Sequence, residues 1–215
     1  MTVTSAPEEV TPEWLTATFT AAGFEGEVTS IEWVSIGAGQ VGENVRFTLE
    51  VNGNCPQSVV GKFPSRDPTS KQTGVQLQNY AREVFFYDTI ASTVDVPVPV
   101  VYTTEFDPES HNFVVLMEDL APGVQINQMD ECSTDQAALA LEHLAGLHGP
   151  RWGDTSLTAH SLLVGQAPAP GATAFSLFQH GFLNRYEGLL NAPERLMVEE
   201  IGEINTPFSI WDGPQ

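Results

Sequence analysis

Lys62 and Glu83 are the residues whose types and surroundings point most directly to chemistry. Lys62, one of two lysines in the chain, lies in Val59-Val60-Gly61-Lys62-Phe63, an apolar run with strand character. An ammonium group there is costly unless something anionic pairs with it, and a strand lysine of this kind can hold nucleotide phosphates. An edge-strand lysine turned to solvent is the plain alternative. A lysine drawn out of water needs a carboxylate, and Glu83 offers one. Tyr80 stands three residues before it, and Phe86 and Tyr87 three and four after, so helical geometry sets all four on one face. That face expects apolar packing, which suits a lysine partner; an exposed glutamate paired with a neighbour is the alternative.

Gly37-Ala38-Gly39-Gln40-Val41-Gly42 reads G-x-G-x-x-G. Two mechanisms use that pattern. Glycines turning a strand into a helix hold a dinucleotide pyrophosphate at the helix N-terminus. Glycines in a hairpin between two strands lay bare backbone over the phosphates of ATP. The residues that follow alternate polar and apolar from Arg46 to Val51, the period of a half-buried strand, and offer no helical stripe. The hairpin is therefore expected, with a plain glycine-rich turn as the ordinary reading; a nicotinamide-dependent oxidoreductase requires Asn44–Val51 to be helical. A fourth piece is Phe113-Val114-Val115-Leu116-Met117-Glu118-Asp119-Leu120, an apolar strand breaking into acids. Its end can present backbone N–H and C=O groups to an adenine edge; a core strand with a polar exit fits equally.

The elements that must position these groups follow from local signals. Thr11-Pro12-Glu13 opens a helix over 11–22 that Gly23 closes. Strands are expected at Val28–Ile36, Asn44–Val51 and Ser58–Phe63, the last two joined by the turn Asn52-Gly53-Asn54. A long helix is expected from Gly74 to Ser92, then a strand pair at Val100–Phe106 and Asn112–Met117 around the turn Asp107-Pro108-Glu109-Ser110. Ser133–His148 reads as a helix whose apolar positions are Leu139, Leu141, Leu144 and Leu147. A Gly-, Pro- and Ala-rich connection over Gly149–Thr173 leads to helices at Ala174–Leu190 and Pro193–Ile204. The expected fold class is α+β: a five-stranded, mostly antiparallel half with one inserted helix over 1–120, then an all-helical segment over 121–215.

In this order (glycine hairpin, strand lysine, helix glutamate, strand and hinge) the chain resembles the aminoglycoside phosphotransferase and choline kinase-like superfamily, most closely its ecdysteroid kinase-like branch. The resemblance rests on Gly39–Val45, Ser58–Pro64, Tyr80–Tyr87, Val115–Leu120 and Leu141-Glu142-His143-Leu144-Ala145-Gly146-Leu147-His148. It runs from about Thr11 and is densest between Ile36 and His148. It implies a protein kinase-like fold, with an N-terminal lobe followed by a partial helical C-terminal lobe, and an ATP-dependent phosphotransferase acting on a small-molecule hydroxyl. It further implies that Gly37, Gly39 and Gly42 lie over the ATP phosphates, Lys62 binds phosphate, and Glu83 orients Lys62. Met117, Glu118, Asp119 and Leu120 would form the adenine-binding hinge.

Members of that family carry a catalytic loop of the form His-x-Asp-x-x-x-x-Asn and a later metal-binding Asp, which together position the acceptor and hold magnesium. The nearest mimic here, His180-Gly181-Phe182, has Phe in place of Asp, and Glu187 stands where Asn would be. His143 and His148 are five apart and share no helix face, so they make a poor metal pair. No catalytic or metal-ligating residue is therefore assigned, and the expectation is a chain that stops before the catalytic loop, with magnesium ligands beyond it. A non-catalytic nucleotide-binding or scaffolding protein is the alternative. No Gly-x-Ser-x-Gly elbow argues for a hydrolase.

Composition bounds the partners. With 28 acidic and 8 basic residues the formal net charge is −20, a surface that repels nucleic acid and anionic membranes. Solubility or salt tolerance is the ordinary reading of such a surface, attraction of a cationic substrate the sharper one. About 41% of residues are hydrophobic, enough for a sizeable core. The two cysteines, Cys55 and Cys132, show no metal-like or redox spacing, and the start MTVTSAPEEV has neither a basic nor an apolar leader region. No apolar run approaches a membrane span. A soluble, cytoplasmic protein is expected.

Overall fold

A computed structural model of the protein describes residues 3–37, 41–124, 132–164 and 172–203. Gly39 and residues 204–215 lie outside these residues, as do residues 165–171 of the expected connection over Gly149–Thr173. The chain divides into two compact units, Met1–Val164 and Gly165–Gln215.

The first unit is built on one five-stranded sheet of order β1-β2-β3-β5-β4. Its strands are β1 (Glu25–Ser35), β2 (Gly42–Asn54), β3 (Ser58–Pro64), β4 (Val101–Phe106) and β5 (Phe113–Glu118). Every pairing is antiparallel. The α+β class and the five strands agree with the sequence; the order places β5 between β3 and β4.

Side chains of a strand alternate between the two faces of its sheet, and here both faces are covered. On one face, α1 (Pro12–Ala21) seats Leu15 and Phe19, four residues apart, against Val45, Phe47, Val59, Phe63, Val114 and Leu116. The helix starts where Thr11 accepts a hydrogen bond from the Trp14 N–H at 3.2 Å, with Pro12 in its first turn. On the other face, Tyr80 and Val84 pack on Phe113, Val115 and Met117. β5 is therefore apolar on both sides, which explains its unbroken Phe-Val-Val-Leu-Met run.

The expected long helix from Gly74 to Ser92 is two helices. α2 (Pro68–Gln76) is capped by Asp67, which accepts from the Ser70 N–H at 2.8 Å, and α3 (Asn79–Phe85) runs on through a π-turn over Phe86–Ile90. Between them Gln78 takes a left-handed conformation, φ 56°. In an unbroken helix Gly74 and Tyr80 would stand about 120° apart around the axis and nearly two turns along it. The break instead folds the Tyr80 ring onto Gly74, where an added Cβ would sit 2.6 Å from Cζ.

Asn52-Gly53-Asn54 is not a tight turn either. These residues extend β2 and pair with Glu27, Gly26 and Glu25 of β1. The chain crosses to β3 through Cys55–Gln57, after the Leu49 N–H has donated to Gln57 O at 2.9 Å. A long β1 supplied backbone partners that outweighed the local turn preference. The turn after β4 does form around Asp107, whose carboxylate accepts from Glu109 N, Ser110 N and Ser110 Oγ.

α4 (Thr134–His148) begins in a reciprocal capping box between Ser133 and Gln136. Leu139, Leu141 and Leu144, expected to supply its apolar face, are 54%, 65% and 42% exposed. The helix meets the rest of the unit near its end instead: Gly146 lies against the Asp95–Val96 backbone and its carbonyl accepts from the Asp95 N–H at 2.9 Å. That attachment helps tie residues 121–164 to the sheet unit, where the sequence suggested a boundary at 120.

In the second unit α5 (Ala172–Tyr186) and α6 (Ala192–Glu203) are joined by Gln179, which donates to the carbonyls of Val198 and Glu199 at 2.7 and 3.0 Å. Asn191 caps α6 by exchanging hydrogen bonds with Glu194. Among the described residues no helix is long and apolar enough to cross a membrane.

Candidate functional site

Lys62 and Glu83 form an ion pair in the first unit. β3 alternates so that Val59, Gly61 and Phe63 enter the α1 side of the sheet while Val60 packs toward α3. Lys62 shares the parity of Val60 and therefore faces α3, whose first turns bring Glu83 to it. The two side chains retain 31% and 23% of their exposure, so the pair is half-buried with one side open. Tyr87 closes part of its surroundings: burial and then the Glu83 charge push its phenol above the usual value.

The glycine hairpin stands at the same end of the sheet. Lys62 pairs across the ladder with Asn44, and Gly42 pairs with Pro64. At the rise of a strand, Gly42 begins the loop about 7 Å along from the level of Lys62. Gly37 adopts φ 71°, a conformation that favours glycine, and a Cβ on Gly42 would come within 3.1 Å of Phe63 O. The hairpin base is held by Ile36 N–H donating to Asn44 O at 2.8 Å and Ser35 Oγ donating to Glu43 at 2.6 Å. Arg66 reaches Glu43 at 2.6 Å and Glu8 at 2.7 Å. A depression of about 230 Å³ beside the hairpin has Gly37, Gly42, Glu43, Arg66 and Asp67 among its lining residues, without Lys62.

At the hinge the four expected residues play different parts. Met117 is buried in the core with Phe113 and Val115. Glu118 exchanges hydrogen bonds with Val100, its N–H donating to Val100 O at 2.8 Å and its carboxylate accepting from Val100 N at 2.9 Å. Leu120 is 62% exposed. The Asp119 side chain is fully engaged: Arg46, Ser58 and the Ala121 N–H all donate to it. An adenine contact at Asp119 thus falls to its backbone, and the Leu120 N–H, beyond the end of β5, has no backbone acceptor among the described residues.

Arg46, Ser58 and the Tyr80 hydroxyl were not singled out in the sequence. Arg46 shares the strand parity of Asn44, the partner of Lys62, and a buried tyrosine needs a bond for its hydroxyl; those are the signals that mark them. Among the described residues no group of three or more His, Cys, Asp or Glu is arranged to hold a metal ion. His180 and Phe182 lie on α5 in the second unit, Phe182 beside Tyr186 with ring centroids 4.7 Å apart.

β2 runs from Gly42 to Asn54, so the glycines lead into a strand. A dinucleotide site of the strand–glycine–helix kind is excluded for this motif. No protein-family model and no curated protein sequence matches this chain.

Proposed function

We propose that the chain grips ATP for phosphoryl transfer to the hydroxyl of a small molecule, through the N-terminal lobe of a protein kinase-like fold. The observation that carries this reading is the Lys62–Glu83 ion pair on the sheet face beside the glycine hairpin. An ammonium oriented by a helix carboxylate, with bare backbone nearby, is the arrangement that neutralises and positions phosphates. Gly37 and Gly42 let the backbone approach the phosphates, Lys62 supplies charge, and Glu83 fixes its direction. The Leu120 N–H, without a backbone acceptor among the described residues, supports an adenine edge at the hinge. Magnesium, when bound, neutralises phosphate charge; no residue here is assigned to hold it. A cytoplasmic location accompanies this reading.

A second reading is a non-catalytic nucleotide-binding or scaffolding protein: in the nearest mimic of the catalytic loop, His180-Gly181-Phe182, a Phe takes the place of the acceptor-positioning Asp. The first reading, and the second in its nucleotide-binding form, require ATP to bind. Titration of the protein with ATP should give saturable binding that Lys62→Met weakens at least about tenfold, the weight of a charged hydrogen bond. Equal affinity in wild type and variant would overturn both of these. Phosphate release or transfer to an added alcohol then separates the first reading from the second.

A further inference from the structure

Tyr80 is 2% exposed, its ring stacked on Phe113 at 4.6 Å between centroids and pressed against Gly74. Burial raises its phenol above the usual value, and a hydroxyl so placed stays only if it is paired. It donates to Val41 O at 2.5 Å and accepts from the Ser65 N–H at 3.3 Å. Val41 directly precedes β2 at the end of the glycine loop, and Ser65 directly follows β3. Glu83, which holds Lys62, is one helical turn further along the same helix. A single turn of α3 therefore grips the glycine hairpin with one side chain and the lysine with another. Glycine loops left to themselves sample many conformations, and fixing one beforehand removes that cost from binding.

We propose that Tyr80 is a positioning residue that presets the glycine hairpin relative to Lys62, so that the two meet the phosphates of a nucleotide as one unit. This rests on the ATP reading above. The ring is held by Gly74 and Phe113, and the hydroxyl transmits that position to Val41.

Tyr80→Phe keeps the ring and removes the hydroxyl. By hydrogen exchange, the amides of Ile36 and of residues 42–45 should exchange about tenfold faster in the variant, the weight of one lost hydrogen bond, while those of β5 keep their rates. In wild type the Ser65 amide should exchange as slowly as those of β3. ATP affinity should fall about three- to tenfold while adenosine affinity is unchanged, because adenosine has no phosphate to meet the hairpin. Tyr80→Phe combined with Glu83→Gln should lose less ATP affinity than the product of the single losses. Equal losses for ATP and adenosine, unchanged hairpin exchange, or a rapidly exchanging Ser65 amide would overturn the role. Wild-type protein that binds neither ATP nor adenosine overturns the ATP reading instead, and the exchange rates then decide the latch alone.

Discussion

Arg46 and Asp119, 73 residues apart in the chain, meet in a two-point fork, with Nε 2.7 Å from Oδ2 and Nη2 3.0 Å from Oδ1. Ser58 Oγ adds a third donor at 2.5 Å and the Ala121 N–H a fourth at 3.1 Å. The fork joins β2 to the exit of β5 across β3, so the acid at the hinge holds the hinge in place. Planar bidentate pairing of this kind is among the stronger polar contacts a protein makes.

Burial works against the Asp119 charge, but hydrogen bonds from Arg46, Ser58 and Ala121, with the Arg46 charge, outweigh it and hold the carboxyl below its ordinary value. A depressed carboxyl contributes stability that is complete above the unfolded value of about 3.9. That stability disappears as pH falls through the lower, folded value. Asp119→Asn should therefore cost about 2 kcal/mol at pH 7, and the difference from wild type should narrow below about pH 4. Urea unfolding of both proteins from pH 7 down to pH 3 measures it; a constant difference across that range would contradict the assignment.

Gly61 sits where a side chain has no room. A Cβ there would lie 2.8 Å from Phe63 Cε2 and 2.9 Å from Phe47 Cε2, and both rings are fully buried. Gly61→Ala should destabilise the first unit by about 1–3 kcal/mol through overpacking. Thermal or denaturant unfolding checks this, and a neutral substitution would mean that the two rings can part freely.

The charge balance of −20 works against compactness through self-repulsion. At low ionic strength the repulsion reaches across the surface; at about 1 M salt it is screened beyond roughly 3 Å. The melting temperature should rise steadily as sodium chloride increases from low to molar concentration. A flat or falling profile would show that local ion pairs such as Arg66 with Glu8 and Glu43 outweigh the net field.

Much of the candidate site was legible because its signals are local. Lys62 announced itself as a cation within an apolar run, and Glu83 as an acid on an aromatic helix face; each needs only a few residues of context. Asp119 read as one more hinge residue, because nothing near it in the chain names Arg46 as its partner. The apolar positions of α4 were equally plain, yet Leu139 and Leu141 remain exposed: periodicity shows that a face is apolar and does not say what covers it.

The sequence by itself determined where the helices begin, at Thr11 and Ser133, which strands alternate, and which two charges were placed to meet. Those properties follow from sterics, capping and burial preferences that act within a turn or two of chain. Only the tertiary structure decided that β5 lies between β3 and β4, that Asn52–Asn54 join β1 rather than turn, that Gln78 breaks a helix, and that Arg46 takes up Asp119. Each of these depends on which distant backbone or side chain is within reach once the sheet has closed, and competition among such partners is settled by shared burial across the whole unit.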